Sequence, residues 1–242
     1  MMKALILAAG CGKRLYPITN QIPKAMVEVK ETPLLINTID CLILNGITKI
    51  GIVLGHKASY IKNIIGNLFH GATISYYENE QYMETNNIFS LYQAIDFCDD
   101  DMLMIECDIY YHKETIDILK KGAGACSILV SPFNPKTMDG TVIQIKGDIA
   151  QQLILGKWQG SNFDYSDKRK TVNMYRFTKE FLKKYVSLVQ WYVENIGTDS
   201  YYEKVLGSLI YLKEYDVRII EIPETMWCEV DTVEDLKRAN EI

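Results

Sequence analysis

Gly10 and Gly12 follow directly on an apolar run, Leu5-Ile6-Leu7, and two cations, Lys13 and Arg14, come next. An unbroken apolar run of this kind reads as a strand buried on both faces, the pattern of a parallel sheet. The glycines let the backbone turn with its N–H groups outward. A concavity of that sort beside two positive charges suits an oxyanion, most commonly a phosphate. Farther along, Asp108 ends a second apolar run, MLMIECD, where functional carboxylates sit in open α/β sheets. Asp231 stands before the last amphipathic segment, a position that equally suits a helix N-cap. Glu106 and Glu229 each precede one of these aspartates by two residues, on the same face if the backbone is extended.

These residues need elements to position them. In the first half strand and helix patterns alternate: strand at Lys3–Ala8, helix over 33–45 with Pro33 at its start and Gly46 after its end, strand at Lys49–Leu54, helix over 58–68, strand over 73–77, helix over 87–97, strand at Met102–Glu106 and helix over 113–121. Such alternation predicts a parallel, doubly wound sheet. The second half reads as a strand over 125–131, a hairpin of 141–146 and 149–155 around Gly147-Asp148, a strand over 171–177, helices over 179–194 and 201–212, short strands over 217–222 and 226–230, and a final helix over 233–242 capped by Asp231 or Thr232. The polar and aromatic segment 156–170 reads as a loop. The expected fold is a single α/β domain over 1–242. Its sheet is doubly wound and mixed but mainly parallel, with a small hairpin-and-helix elaboration in the C-terminal half that wraps over the strand ends.

The 242 residues are 48% hydrophobic, enough for a sizeable core, and the net charge of −5 argues against a general nucleic-acid-binding surface. Basic clusters must therefore act on something small. No apolar run approaches membrane-spanning length, and the N-terminal MMKALILAAG is too short and too quickly followed by charge for a signal peptide. The cysteines at 11, 41, 98, 107, 126 and 228 form no C-x-x-C pair and no zinc spacing with the histidines. They read as reduced thiols of a cytoplasmic protein, and Cys11 lends the glycine loop backbone only.

Two familiar phosphate loops do not fit. A P-loop needs Ser or Thr after the lysine, but Arg14 stands there, and no glycine lies five places before Gly12; a dinucleotide fingerprint needs glycine at position 15, which is leucine. What remains is L-A-A-G-x-G-x-R-L followed by Pro23-Lys24. This resembles the signature of the sugar-phosphate nucleotidylyltransferases, and the later landmarks, MLMIECD and CEVDT, appear in the same order over nearly the whole chain. Within that superfamily the small phosphocholine-type cytidylyltransferases look closest, on Thr85-Asn86-Asn87-Ile88-Phe89-Ser90-Leu91 and Trp227-Cys228-Glu229-Val230-Asp231. Met138-Asp139-Gly140-Thr141 and Lys170-Thr171-Val172-Asn173 look similar to the 2-aminoethylphosphonate branch.

The resemblance implies a Rossmann-like nucleotidyltransferase fold with a nucleotide-binding half, 1–124, and an acceptor-binding half, 125–242. It implies transfer of CMP from CTP to a small phosphorylated or phosphonylated amino alcohol, with release of pyrophosphate. One anion must approach another, so catalysis would rest on positioning and charge neutralisation. On this reading Leu7, Ala8, Ala9, Gly10 and Gly12 line the nucleotide, and Lys13 and Arg14 hold its β- and γ-phosphates. Lys24 reaches the α-phosphate or the attacking oxygen. Asp108 and Asp231 bind Mg²⁺, with Glu106 or Glu229 as support or alternative ligand. Asn86, Asn87 and Ser90 supply donors and acceptors to a pyrimidine, cytosine by resemblance but equally uracil by side chains, while one of them caps a helix. The acceptor's cation calls for aromatic faces or a carboxylate: Trp227, Tyr202, Glu203, Asp139 and Trp158 are candidates. Thr141 and Asn173 are placed near its phosphorus group or the ribose. The phosphocholine-type pattern has a tryptophan near 139–141. Its absence here favours a carboxylate such as Asp139 reading a primary ammonium. Neither nucleic acid nor membrane insertion is expected, and a homodimer is allowed for. The rivals are a hexose-1-phosphate nucleotidylyltransferase and a non-catalytic nucleotide-binding regulator.

Overall fold

The computed structural model describes residues 2–242. Strand β1 (Lys3–Ala8) is followed by the glycine loop and short 3-10 turns, then by a small ribbon, β2 (Glu28–Val29) with β3 (Thr32–Pro33). Next come α1 (Leu34–Leu44), β4 (Lys49–Leu54), α2 (Ala58–Ile65), β5 (Leu68–Phe69), β6 (Ala72–Glu78), α3 (Asn87–Gln93), β7 (Met102–Glu106), β8 (Ile109–Tyr111) and α4 (Glu114–Lys120). The second half contains β9 (Cys126–Pro132), β10 (Val142–Lys146), β11 (Ile149–Ile154), β12 (Lys168–Phe177), α5 (Lys179–Asn195), α6 (Glu203–Leu212), β13 (Val217–Glu221), β14 (Trp227–Glu229) and α7 (Val233–Glu241).

Ten strands form one sheet in the order β10-β11-β13-β9-β12-β7-β1-β4-β6-β5. β1 is central and parallel to both β4 and β7, and β4 is parallel to β6. Its side chains alternate between two cores. Leu5 and Leu7 pack with residues of α3, α5 and α6, while Ala4, Ile6 and Ala8 pack with α1, α2 and α4. Leu5 and Ile6 are wholly buried, each contributing about 1.5–3 kcal/mol of transfer free energy. Helices on both faces are what the unbroken apolar strands demand.

The expectation of a mainly parallel sheet is corrected in the second half. β12 runs antiparallel to β7, β9 and β10, and β11 runs antiparallel to β10 and β13; β13 beside β9 is parallel. Because β10 pairs with both β11 and β12, the strands β10-β11-β13-β9-β12 close into a five-membered ring. The physical reason is connectivity. Here strands follow strands through turns such as Gly147-Asp148, and only antiparallel neighbours can be joined that way. The hairpin is thus part of the ring rather than an appendage. Closure also leaves no free edge on that side.

Smaller differences have local causes. The helix expected over 58–68 stops at Ile65, because Gly66 takes φ +67 and the chain turns into edge strand β5. The helix expected over 87–97 breaks at Ala94 into a 3-10 turn. The strand expected over 226–230 is β14, which pairs with β8 outside the main sheet. Among the described residues no helix is long and apolar enough to cross a membrane.

Candidate active site

The glycine loop leaves the C-terminal end of β1, with Leu7, Ala8 and Ala9 buried. Gly12 takes φ +63, and a Cβ there would fall 2.9 Å from the Cβ of Lys24. The loop therefore packs on Lys24 only because residue 12 has no side chain. The hydroxyl of Thr19 donates to the Gly12 carbonyl at 2.8 Å and fixes the turn. At Gly10 a Cβ would meet no protein atom; this stretch of backbone borders open cavity.

Lys24 opens the 3-10 turn after Pro23 and is 7% exposed. Its Nζ donates to Asp108 Oδ2 at 2.7 Å and to Asp231 Oδ1 at 2.5 Å. Arg14 pairs with the other oxygen of Asp231 at 2.7 Å. Three distant parts of the chain thus meet in one charge cluster. The antiparallel pairing of β14 with β8 brings Asp231 in, and the Val230 N–H donates to the Asp108 carbonyl at 2.8 Å. Burial alone would depress the Lys24 ammonium, but Asp108 and Asp231 outweigh it and hold the pKa above the usual lysine range. Burial likewise opposes ionisation of Asp231, yet Lys24 and then Arg14 keep its pKa below the usual carboxylate range. Asp231 is not the helix cap. Thr232 caps α7 in a reciprocal box with Asp235, which leaves the Asp231 carboxylate to the cations.

A cavity of about 430 Å³ lies over this cluster, bordered by Gly10, Lys13, Lys24, Asn86 and Asp108. The residues expected to read a base have other partners here. The Asn86 side chain accepts from the Asn87 N–H at 2.9 Å, capping α3. Asn87 Nδ2 donates to Glu106 at 3.2 Å and Glu203 at 3.4 Å, while its Oδ1 accepts from the Tyr202 N–H at 3.0 Å. Ser90 accepts from Asn79 at 3.1 Å. Asn79, which also donates to Thr85 at 3.0 Å, borders the same cavity and went unnoticed in the sequence. Its one sequence signal is an amide just after a strand.

A second cavity, about 540 Å³, adjoins the first and shares Arg14, Asn87, Glu106 and Asp231 with it. Its lining combines the end of β7, the middle of β12 and the start of α6. Glu106 accepts from the Tyr202 hydroxyl at 2.7 Å and from Asn173 Nδ2 at 3.1 Å. Glu203 accepts from the Thr141 hydroxyl at 3.4 Å as well as from Asn87. Asn173 sits at φ +56 in an irregularity of β12, between Thr171 and Tyr175, which re-aims its side chain into the cavity. Burial, then the charges of Asp108 and Glu203, push the Glu106 carboxyl well up. Burial also raises Glu203, against hydrogen bonds from its own backbone and Asn87, and raises Glu229 against the charge of Lys170.

None of the aromatic candidates presents a face to this cavity. Tyr202 is wholly buried, edge-on to Tyr175, with its hydroxyl on Glu106. Trp227 is 4% exposed, packed in the core, and borders a neighbouring cavity of about 810 Å³ against α7 rather than the 540 Å³ cavity. Trp158 is exposed on a 3-10 turn. Asp139 is at the rim, 3.9 Å from Arg14. The rings that do border the cavity are Tyr201 and the stacked pair Phe133 and Tyr165, which nothing in the sequence set apart from the other tyrosines and phenylalanines.

No group of three or more His, Cys, Asp or Glu side chains among the described residues is arranged to hold a metal by itself. Asp108 and Asp231 offer hard oxygens on either side of one ammonium, and Asp108 Oδ1 is buried without a hydrogen-bond partner. That donor set fits a Mg²⁺ that takes its remaining ligands from phosphate and water.

Known proteins bear on the geometry at this point. The sequence model of the family described as "Nucleotidyl transferase" matches residues 3–146. The chain is 26% identical to a CMP-5'-(3-aminopropyl)phosphonate synthase of Streptomyces rubellomurinus over 99% of its own length and 38% of the relative's. It is 27% identical to a CTP:phosphoglutamine cytidylyltransferase of Campylobacter jejuni over 98% of each. The chain thus spans well under half of the first relative and nearly all of the second. In fold it resembles a CTP:phosphocholine cytidylyltransferase of Streptococcus pneumoniae, with a TM-score of 0.76, 23% identity, and coverage of 99% and 98%.

Proposed function

Because the chain belongs to the nucleotidyl transferase family, we propose that it is a cytidylyltransferase carrying CMP from CTP to a small acceptor with a phosphate or phosphonate and an amine, releasing pyrophosphate. The observation that carries this reading is the meeting of Lys24, Asp108, Asp231 and Arg14 where the two cavities join. The 430 Å³ side takes the nucleotide and the 540 Å³ side takes the acceptor. Cytidine is favoured because the relatives' names contain CMP or CTP.

An acceptor oxygen attacks the α-phosphorus, its bond to the bridging oxygen breaks, and pyrophosphate departs. The nucleophile is already anionic, so no general base is required. The barrier is repulsion between anions, and fixed charges lower it without reorganising. Lys24 sits where the attacked phosphoryl group must come. Arg14 and Lys13, at the mouth of the glycine loop, hold the departing phosphates, with backbone N–H groups of the loop beside them. Asp108 and Asp231 would hold Mg²⁺, which when bound neutralises phosphate charge at the reacting centre. Glu106 and Glu203 hold the acceptor's ammonium.

Pyrophosphate release from each nucleoside triphosphate with 2-aminoethylphosphonate, phosphocholine or glucose 1-phosphate tests the proposal. Turnover should be highest with CTP and an amine-bearing acceptor. Preference for glucose 1-phosphate would make the chain a sugar-nucleotide enzyme. Binding of CTP without pyrophosphate release would make it a binding module.

A further inference from the structure

Lys170 has no part in the chemistry described so far, yet it is among the most deeply buried charges in the molecule. It is 1% exposed and stands on β12 opposite Ser131 of β9 and Val142 of β10. Its Nζ lies 3.1 Å from Glu229 Oε2. A Cβ added to Gly140 would come 3.1 Å from the same nitrogen, so the ammonium lies directly beneath the loop that roofs the acceptor-side cavity, and Lys170 lines that cavity. An ammonium has three N–H donors. Glu229 engages one, and no other hydrogen-bond or ion-pair partner for Lys170 is found among the described residues. Burial works against the charged form, but Glu229, then Glu106 and Asp139, keep the side chain protonated. A buried cation with donors to spare, facing a cavity, is costly unless an anion completes its coordination.

We propose that Lys170 is the residue that selects the acceptor's phosphorus group: anchored on Glu229, its ammonium takes one oxygen of the phosphate or phosphonate. This rests on the transferase reading above. With Glu203 and Glu106 lining the same cavity, a cation with donors to spare and carboxylates without a cationic partner of their own border one space, the complement of a short zwitterion with phosphonate at one end and ammonium at the other. Arg14 and Lys24 serve the nucleotide's phosphates, which leaves Lys170 to orient the attacking oxygen. A neutral sugar hydroxyl would find no such complement.

The test is steady-state kinetics of Lys170→Met and Lys170→Arg with CTP and 2-aminoethylphosphonate. Lys170→Met should raise the acceptor KM by roughly tenfold or more, the usual scale for removing one partner of a buried charged hydrogen bond. The CTP KM should stay within about twofold, and Lys170→Arg should recover part of the loss because the charge is kept. A purely structural lysine would instead lower turnover and both KM-derived affinities together, with no recovery by arginine, and that result overturns the proposal. Should either variant fail to fold, a crystal of the wild-type protein with a non-hydrolysable CTP analogue and 2-aminoethylphosphonate decides. A phosphonate oxygen within about 3.2 Å of Nζ upholds the assignment; an oxygen bound elsewhere, with Lys170 on Glu229 alone, overturns it. Wild-type turnover is measured first, so that absence of any transferase activity is distinguished from failure of the Lys170 assignment.

Discussion

At the nucleotide end of the cleft, Lys24, Asp108, Asp231 and Arg14 neutralise one another through contacts of 2.5–2.7 Å. At the acceptor end, Glu106 and Glu203 are held by amides and hydroxyls, and the buried cation, Lys170, is paired to a third carboxylate, Glu229. The first end is balanced among its own residues and, on the proposed reading, hands charges over to phosphates and metal. The second carries surplus carboxylate, held in place by neutral donors, and suits a ligand that brings a positive charge. On that reading the difference separates two tasks: lowering a barrier between anions, and choosing which small molecule enters.

If that division holds, damage to the two ends should differ in kind. The largest effect is expected at the balanced end. Lys24→Ala and Asp108→Ala should each slow pyrophosphate release by about 10²-fold or more, as when one preorganised electrostatic contact is removed. CTP affinity by calorimetry should survive Lys24→Ala better than Arg14→Ala. Near-normal turnover of the Asp108 variant would break the metal assignment and with it the contrast.

At the other end the effect should appear in the acceptor KM. Glu203→Gln keeps the hydrogen-bonding shape and removes the charge, so the KM for an amine-bearing acceptor should rise about tenfold, the scale of a lost charge-assisted contact, with the CTP KM unchanged. A parallel rise in both constants would show the ends to be one unit.

A smaller, sharper distinction is pH. Burial lifts the Glu203 carboxyl above its ordinary range, against its own backbone hydrogen bond, Asn87, the charge of Lys170 and Thr141. A raised carboxyl takes its proton earlier as the medium is acidified, so ammonium binding is full above that raised pKa and lost below it. The wild-type acceptor KM should therefore climb on the acid side while an exposed glutamate, near pKa 4.3, is still ionised. The Glu203→Gln profile should keep only the part of that climb that the likewise raised Glu106 contributes, and since ionisation of the acceptor is common to both proteins, the difference isolates the Glu203 side chain.

The smallest effect concerns neither end. Thr232→Ala removes the cap of α7, in which Thr232 Oγ1 accepts from the Asp235 N–H at 3.2 Å. It should cost about 1 kcal/mol and lower the melting temperature by about 2–4 °C, with kinetics nearly unaltered. A large loss of turnover would show that the cap, and not the β14–β8 pairing, positions Asp231.

The two ends were also unequally legible in the sequence. The nucleotide end is written in contiguous stretches, because in a parallel sheet the loops at the strand ends carry both the turn and the charge: Gly10 to Arg14 after β1, Asp108 after β7. The acceptor end is assembled from single residues on antiparallel strands and neighbouring loops, such as Thr141, Lys170 and Asn173, and no linear spacing reveals a ring closed by β10 against β12. Alternating strands and helices foretold the first half and misled about the second. Tyr202 and Trp227 illustrate the residual difficulty: an aromatic side chain beside a functional carboxylate has the same sequence signature whether it faces the cleft or fills the core behind it.

Lys24 and Asp231 are 207 positions apart, whereas Lys24 and Asp108 are separated by 84. Contacts between such remote segments repay their chain-closure entropy only after the intervening structure has formed. Catalytic competence should consequently be one of the last properties that a refolding molecule acquires. Far-ultraviolet circular dichroism would recover first, enzymatic turnover afterwards, and the lag would time the docking of the final strand and helix.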